Sequence, residues 1–261
     1  MGATPPLTPV AGPWPLAPAP LSMQVALSLD YWDTLFDGGN LPERIERRQA
    51  ALRRMLRNLE CDVADEEFVT LYRAAGAEAD RWWREEHRGY TADERIRWML
   101  ARLNVTRPVD CEHVAAAVRA VDETLLELPP PMLDGAKGAV LRLAERFPMA
   151  ILSDTGFASS AAQDALLVRE GLRDHFAARI YSMDIGHAKP RREMFEACAT
   201  ALGRSPESII HIGDNERTDV RGALDAGFRA IRLDIVRDGG PSAAELVARS
   251  FDELREYLLE E

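Results

Sequence analysis

Short apolar blocks of strand length recur along the chain at residues 24–29, 149–152, 180–181, 208–212 and 230–233. They are rich in small and β-branched residues and lack polar alternation, which predicts strands of a parallel sheet buried on both faces. Between the later blocks the apolar positions change to helical spacing. Ala136, Val140, Leu143 and Ala144 form one stripe, and further helices are expected over about 158–169, 195–202 and 220–226. Repeated strand–helix units imply a sheet covered by helices, with ligands gathered at the carboxyl ends of its strands.

The interval between the first two strands has a different character. Pro42 suits a first helical position, and Ile45, Leu52, Met55, Leu56 and Leu59 follow at helical spacing. Phe68, Leu71, Tyr72, Ala75 and Ala79 mark a second helix running toward Trp82 and Trp83. A capping box, Thr91-Ala-Asp-Glu94, opens a third helix through Ile96, Met99, Leu100 and Leu103. A fourth carries Val114, Val118, Val121 and Leu125 and stops at Pro129-Pro130-Pro131. A second box, Ser242-Ala-Ala-Glu245, predicts a helical C-terminus bearing Leu246, Val247, Phe251, Leu254 and Leu258. The expected fold is α/β, split after its first strand by an α-helical insert.

Composition narrows the classes. Hydrophobic residues at 46% and charged residues at 29% allow a core of ordinary size. A formal charge of −11 argues against nucleic acid or an anionic membrane as partner. Cys61, Cys111 and Cys198 are too far apart for a zinc or disulfide framework and read as reduced thiols of a cytoplasmic protein. No apolar run approaches the roughly 18–20 residues of a bilayer span. Residues 1–22 are Pro/Ala/Leu-rich and are expected to form a disordered tail, with Met23 a candidate biological start.

Polar groups recur where strands end. Asp30, with Thr34 four residues on, follows the first; Ser153-Asp154 follows the second; Lys189-Pro190 lies in the loop after the third; Gly213-Asp214-Asn215, with Asp219 beyond, follows the fourth. This set suits phosphoryl transfer to a carboxylate, with Asp30 as nucleophile dividing one displacement into two easier steps. Asp30, Asp214 and the backbone carbonyl of Trp32 offer hard oxygen ligands for Mg²⁺. Lys189, with the Ser153 and Thr34 hydroxyls, would hold phosphoryl oxygens beside Asp154. Asp219 and Asn215 would support them.

These motifs, in this order, resemble the haloacid dehalogenase superfamily, which consists mostly of phosphatases. The similarity extends through Gly186-His-Ala-Lys-Pro190, Phe195, His211-Ile-Gly-Asp214, Asp219-Val-Arg-Gly-Ala223 and Ala226-Gly227. The resemblance implies a Rossmann-like parallel-sheet core at residues 23–39 and 129–261. It also implies a four-helix cap of the first insertion type at 40–128. The function implied is Mg²⁺-dependent hydrolysis of a small phosphorylated metabolite by a monomer or homodimer.

One position departs from that family. Its phosphatases carry an acid–base aspartate two residues after the nucleophile, where this chain has Trp32. Indole has no acid–base function near neutrality. Asp33 is the nearest substitute, but alternation along an extended segment points it elsewhere. Two other readings therefore stand beside the phosphatase. One is a metal-independent dehalogenase, a branch with an aromatic residue at this position but without the Gly-Asp motif retained here as Gly213-Asp214. The other is a non-catalytic module that binds a phosphorylated ligand or a protein. Trp82, Trp83 and Trp98 are expected in the cap core, and His211 as a structural histidine.

Overall fold

In a computed structural model, which describes residues 25–39, 41–103, 105 and 111–259, six strands make one sheet. These are β1 (Ala26–Leu29), β2 (Met149–Ser153), β3 (Ala178–Tyr181), β4 (Ile209–Gly213), β5 (Arg229–Leu233) and β6 (Leu246–Ala248). They lie in the order β3-β2-β1-β4-β5-β6, and every pairing is parallel. All residues of β1, β2 and β4 are buried, as the unalternating apolar blocks require.

Among the described residues four helices intervene between β1 and β2: α1 (Pro42–Asn58), α2 (Asp65–Arg84), α3 (Ala92–Arg102) and α4 (Cys111–Glu127). They bury a cluster of their own that includes Leu52, Leu56, Phe68, Ile96 and Val114. The Thr91 box forms as expected, with Thr91 Oγ1 accepting from Glu94 N–H and the Glu94 carboxylate accepting from Thr91 N–H. The sheet is covered by α5 (Ala136–Ala144), α6 (Ser160–Glu170), α8 (Arg192–Leu202) and α10 (Phe251–Leu259). A short α7 (Ser182–Ile185) follows β3, and a π-helical turn at Glu216–Arg221 leads into α9 (Gly222–Asp225). The α/β architecture with an inserted all-α unit is thus the observed one. The proposed tail, residues 1–22, and Met23 lie outside the described residues.

The C-terminal expectation needs correction. Leu246–Ala248 is not helical but pairs with β5 as the edge strand β6. The Ser242 hydroxyl is engaged by Glu216 at 2.6 Å, and Glu245 is paired with Arg229 at 2.8 Å, so no capping box forms there. The helix starts later, where Ser250 Oγ accepts from Glu253 N–H.

Candidate active site

The register of β1 sets the site. Leu29 is level with Ile151 of β2 and Ile212 of β4, and Asp30 N–H donates to the Ile212 carbonyl at 2.8 Å. Asp30 therefore leaves the sheet beside Gly213-Asp214. Because β2 and β4 flank β1 on opposite sides, this is also where the winding of the sheet reverses, the usual crevice of such folds. After Asp30 the chain turns tightly, with Leu35 and Phe36 N–H both donating to the Tyr31 carbonyl and Asp33 at a left-handed φ of 56°.

Lys189 binds the centre together. It is almost completely buried, and its Nζ donates to Asp30 Oδ1 and Asp219 Oδ1, both at 2.6 Å. Its backbone N–H donates to Asp154 Oδ1 at 3.0 Å. Asp219 also accepts from Asn215 N–H at 2.9 Å and lies 3.2 Å from His211 Nε2. His211 Nδ1 meets Ser28 Oγ at 2.9 Å, so the imidazole is a satisfied structural group. Gly213 permits this packing, since a Cβ there would lie 2.5 Å from Asp219 Cγ.

The electrostatics follow from burial and from the single lysine. Burial raises the Asp30 carboxyl well above its ordinary range, against the pull of Lys189, and Asp219 and Asp214 push it further. Burial, with Asp219, pushes Asp214 up to about 7. Burial acts against the charge of Asp219 too, but Lys189 and His211 outweigh it and hold that carboxyl below the usual range. Lys189 is raised above its ordinary value because Asp219, Asp30 and Asp154 more than offset its burial.

A cavity of about 240 Å³ opens over these groups, lined by Asp30, Trp32, Asp154, Lys189, Asp214, Asn215 and Asp219 from the core and by Asp80, Trp83, Arg88 and Tyr90 from the insert. The structure brings Asp30, Asp154, Lys189, Asp214, Asn215 and Asp219 together around it. Thr34 is fully buried, and its Oγ1 donates to Asp30 Oδ2 at 3.4 Å. Ser153 is not brought in. It ends β2 with its side chain on the inward face, where Oγ donates to Gln163 Oε1 at 3.0 Å, and Gln163 in turn holds the Thr155 carbonyl. The Ser153 hydroxyl, expected to hold a phosphoryl oxygen, is thus engaged by Gln163 in this structure.

Two contributors were not foreseen. Trp83, expected in the core of the insert, sends its indole N–H to Asp154 Oδ2 at 2.8 Å. Arg237, in the loop after β5, pairs with Asp33 and reaches Asp214 Oδ2 at 3.2 Å. Asp33 also accepts from Gly38 N–H at 2.9 Å, so both its oxygens are engaged. Backbone contacts join insert and core as well: Ala188 N–H donates to the His87 carbonyl at 2.9 Å, one residue before Lys189.

The donor set suits a divalent cation. Carboxylate oxygens of Asp30, Asp214 and Asp219 all lie within 4.8 Å of one another. Asp214 Oδ2 is buried and accepts no hydrogen bond, its charged neighbour being the Arg237 guanidinium at 3.2 Å, so a hard cation would have to share or displace that contact.

Carboxylate, lysine and acidic strand-end groups at the switch point of a parallel sheet define a hydrolase-type site rather than a dinucleotide-binding one. The chain belongs to the haloacid dehalogenase-like hydrolases, whose family pattern it matches over residues 26–227. It is 29% identical over 216 residues to a glyceraldehyde 3-phosphate phosphatase of Methanopyrus kandleri, covering 80% of this chain and 83% of that one. Among solved structures, a 2-haloacid dehalogenase of Pseudomonas syringae superposes with a TM-score of 0.65 at 21% identity, covering 91% of this chain and 99% of that one. A HAD phosphatase of Thermococcus onnurineus superposes with a TM-score of 0.64 at 18% identity, covering 90% and 98%. Dehalogenase and phosphatase superpose equally well, so the fold alone does not choose between them, whereas the relative in sequence is a phosphatase.

Proposed function

We propose that this chain is a Mg²⁺-dependent phosphohydrolase that acts on a small phosphorylated metabolite through an aspartyl-phosphate on Asp30. The observation that carries this reading is the cluster of Asp30, Asp214 and Asp219 around Lys189, because a dehalogenase needs no such set of cation ligands. Asp30, Asp214 and the Trp32 carbonyl would hold the ion, which reduces repulsion between an anionic nucleophile and an anionic ester.

A carboxylate oxygen of Asp30 attacks phosphorus, and the bond from phosphorus to the ester oxygen breaks. Lys189 neutralises both Asp30 and the oxygens of the transferred group, while Asp219 keeps Lys189 charged and aimed. Water then attacks phosphorus, the bond to Asp30 breaks, and phosphate leaves. The departing alkoxide needs a proton in the first step, and the water must lose one in the second. Trp32 supplies neither. Asp33 is held by Arg237 and Gly38, which argues against its substitution in that role. Esters with acidic leaving groups, such as aryl or acyl phosphates, are accordingly the expected good substrates.

The helices at residues 40–128 serve in this reading as a cap that selects the leaving group through Trp83, Arg88 and Tyr90. A cytoplasmic setting accords with Cys61 and Cys198 as free thiols. Among the described residues no helix is long and apolar enough to cross a membrane. The test compares p-nitrophenyl phosphate with 2-chloropropionate, with Mg²⁺ and with EDTA. The phosphatase reading expects EDTA-sensitive release of nitrophenol alone; EDTA-resistant release of chloride would support the dehalogenase instead.

A further inference from the structure

A second cavity, of about 230 Å³, adjoins the first at Trp32. It shares Trp32, Asp33 and Gly156 with the first, and its remaining wall includes Arg44, Arg48 and Thr155. The two arginines stand four residues apart on α1, on the same face as the buried Ala51, Leu52 and Met55. Arg44 is 5% exposed and Arg48 9% exposed, values typical of core leucines rather than of guanidinium groups.

Burying a guanidinium is costly unless it is paired. Among the described residues neither arginine forms an ion pair, and the Nε of each is buried without a hydrogen-bond partner. Arg44 donates to the Gly39 carbonyl at 2.7 Å, and Arg48 lies 5.6 Å from the Phe157 ring centre, contacts that bring no carboxylate against either guanidinium. Asp37 and Asp122 act on Arg44 and Arg48 electrostatically but form no ion pair with them. Asp37 accepts from Gly39 N–H at 2.7 Å, and Asp122 accepts from Ser159 N–H and Oγ at 2.8 and 2.7 Å. Arg95 stacks on the other side, 4.1 Å from the Phe157 ring centre, and adds a third positive charge. In a chain of net charge −11, such a concentration of unpaired buried cations beside a cavity calls for an anion from outside.

We propose that Arg44 and Arg48 form a subsite for a second anionic group, a carboxylate or phosphate, carried on the leaving-group side of the substrate. This rests on the phosphohydrolase reading, since the phosphoryl group must occupy the neighbouring cavity. Trp32 then has a use at the position where an acid is missing: it is the wall shared by the two halves of the substrate. Charged hydrogen bonds from two desolvated guanidinium groups should favour the anionic ester by about tenfold or more.

The experiment measures binding to the Asp30→Asn protein with Mg²⁺ by calorimetry. It compares ω-carboxyalkyl phosphates of two to five carbons with alkyl phosphates of matched length. The expected result is a preference of at least about tenfold for the carboxylated ester at one or more lengths. That preference should collapse in Arg48→Met and in Arg44→Gln, whose folding is checked by thermal unfolding. Equal binding of the two series, or a preference that survives both substitutions, overturns the subsite while leaving the phosphatase reading intact. Binding of neither series overturns both.

Discussion

The Trp83 indole N–H donates to Asp154 Oδ2 at 2.8 Å, while the other oxygen of the same carboxylate accepts the Lys189 backbone N–H at 3.0 Å. One half-buried side chain thus ties the helical insert to the lysine that grips Asp30. Trp83→Phe keeps the ring and removes only the donor. It should cost about 0.5–1.5 kcal/mol, the net worth of one hydrogen bond, and speed amide exchange at Lys189. Denaturant unfolding with hydrogen-exchange mass spectrometry checks this; unchanged exchange around Lys189 would remove the link.

Gly213 carries no side chain because Asp219 occupies that space. Gly213→Ala places a methyl 2.5 Å from Asp219 Cγ and must displace the carboxylate that holds Lys189. Overpacking of this kind costs about 1–3 kcal/mol. A greater loss of turnover than of stability is expected, measured by kcat alongside thermal unfolding. Equal activity of the variant would mean that Asp219 does not set the position of Lys189.

Trp32 limits chemistry in this account. Introducing Trp32→Asp restores a carboxylate where general acid–base help is worth about 10²–10⁴ in rate. Alkyl phosphates, whose alkoxide needs the proton most, should gain more in kcat/KM than p-nitrophenyl phosphate. A uniform change across both esters would relieve Trp32 of that role.

Burial pushes the His211 imidazole below its ordinary range, and Lys189 adds to this against the pull of Asp219. The unfolded chain therefore takes up a proton near pH 6.5 that the folded protein refuses, and stability falls as pH drops below that value. His211→Gln keeps a donor toward Asp219 and removes the titration. Between pH 7 and pH 5 the variant should lose less stability than the parent, as read from unfolding midpoints. Parallel losses would show that His211 is charged in the fold.

The sheet and helices were legible because burial on both faces and helical periodicity leave different apolar patterns. The strand β6 was not, since three residues behind a Ser-x-x-Glu sequence look like a helix start until Glu216 and Arg229 claim those side chains. Asp30, Lys189, Asp214 and Asp219 were legible as polar groups at strand ends. The Ser153 contact with Gln163 was not, because the partner sits ten residues on, on the next helix, α6, and only the packing of that helix against β2 brings the two together. Trp83 follows the buried Trp82 and reads as part of the same apolar patch; only the packing of α2 against the core separates them. Arg44 and Arg48 did leave a signal. They continue the stripe of Ala51, Leu52 and Met55 backward at helical spacing, where charges on a solvated face would break it.

The central claim is that Asp30 carries the phosphoryl group. Acid quenching during turnover of p-nitrophenyl phosphate, followed by borohydride reduction and mass spectrometry of the peptide containing residue 30, reads it directly. The account predicts Mg²⁺-dependent labelling at Asp30, lost in Asp30→Asn together with turnover. Undiminished turnover by Asp30→Asn, with no modification at residue 30 in the parent, would contradict it.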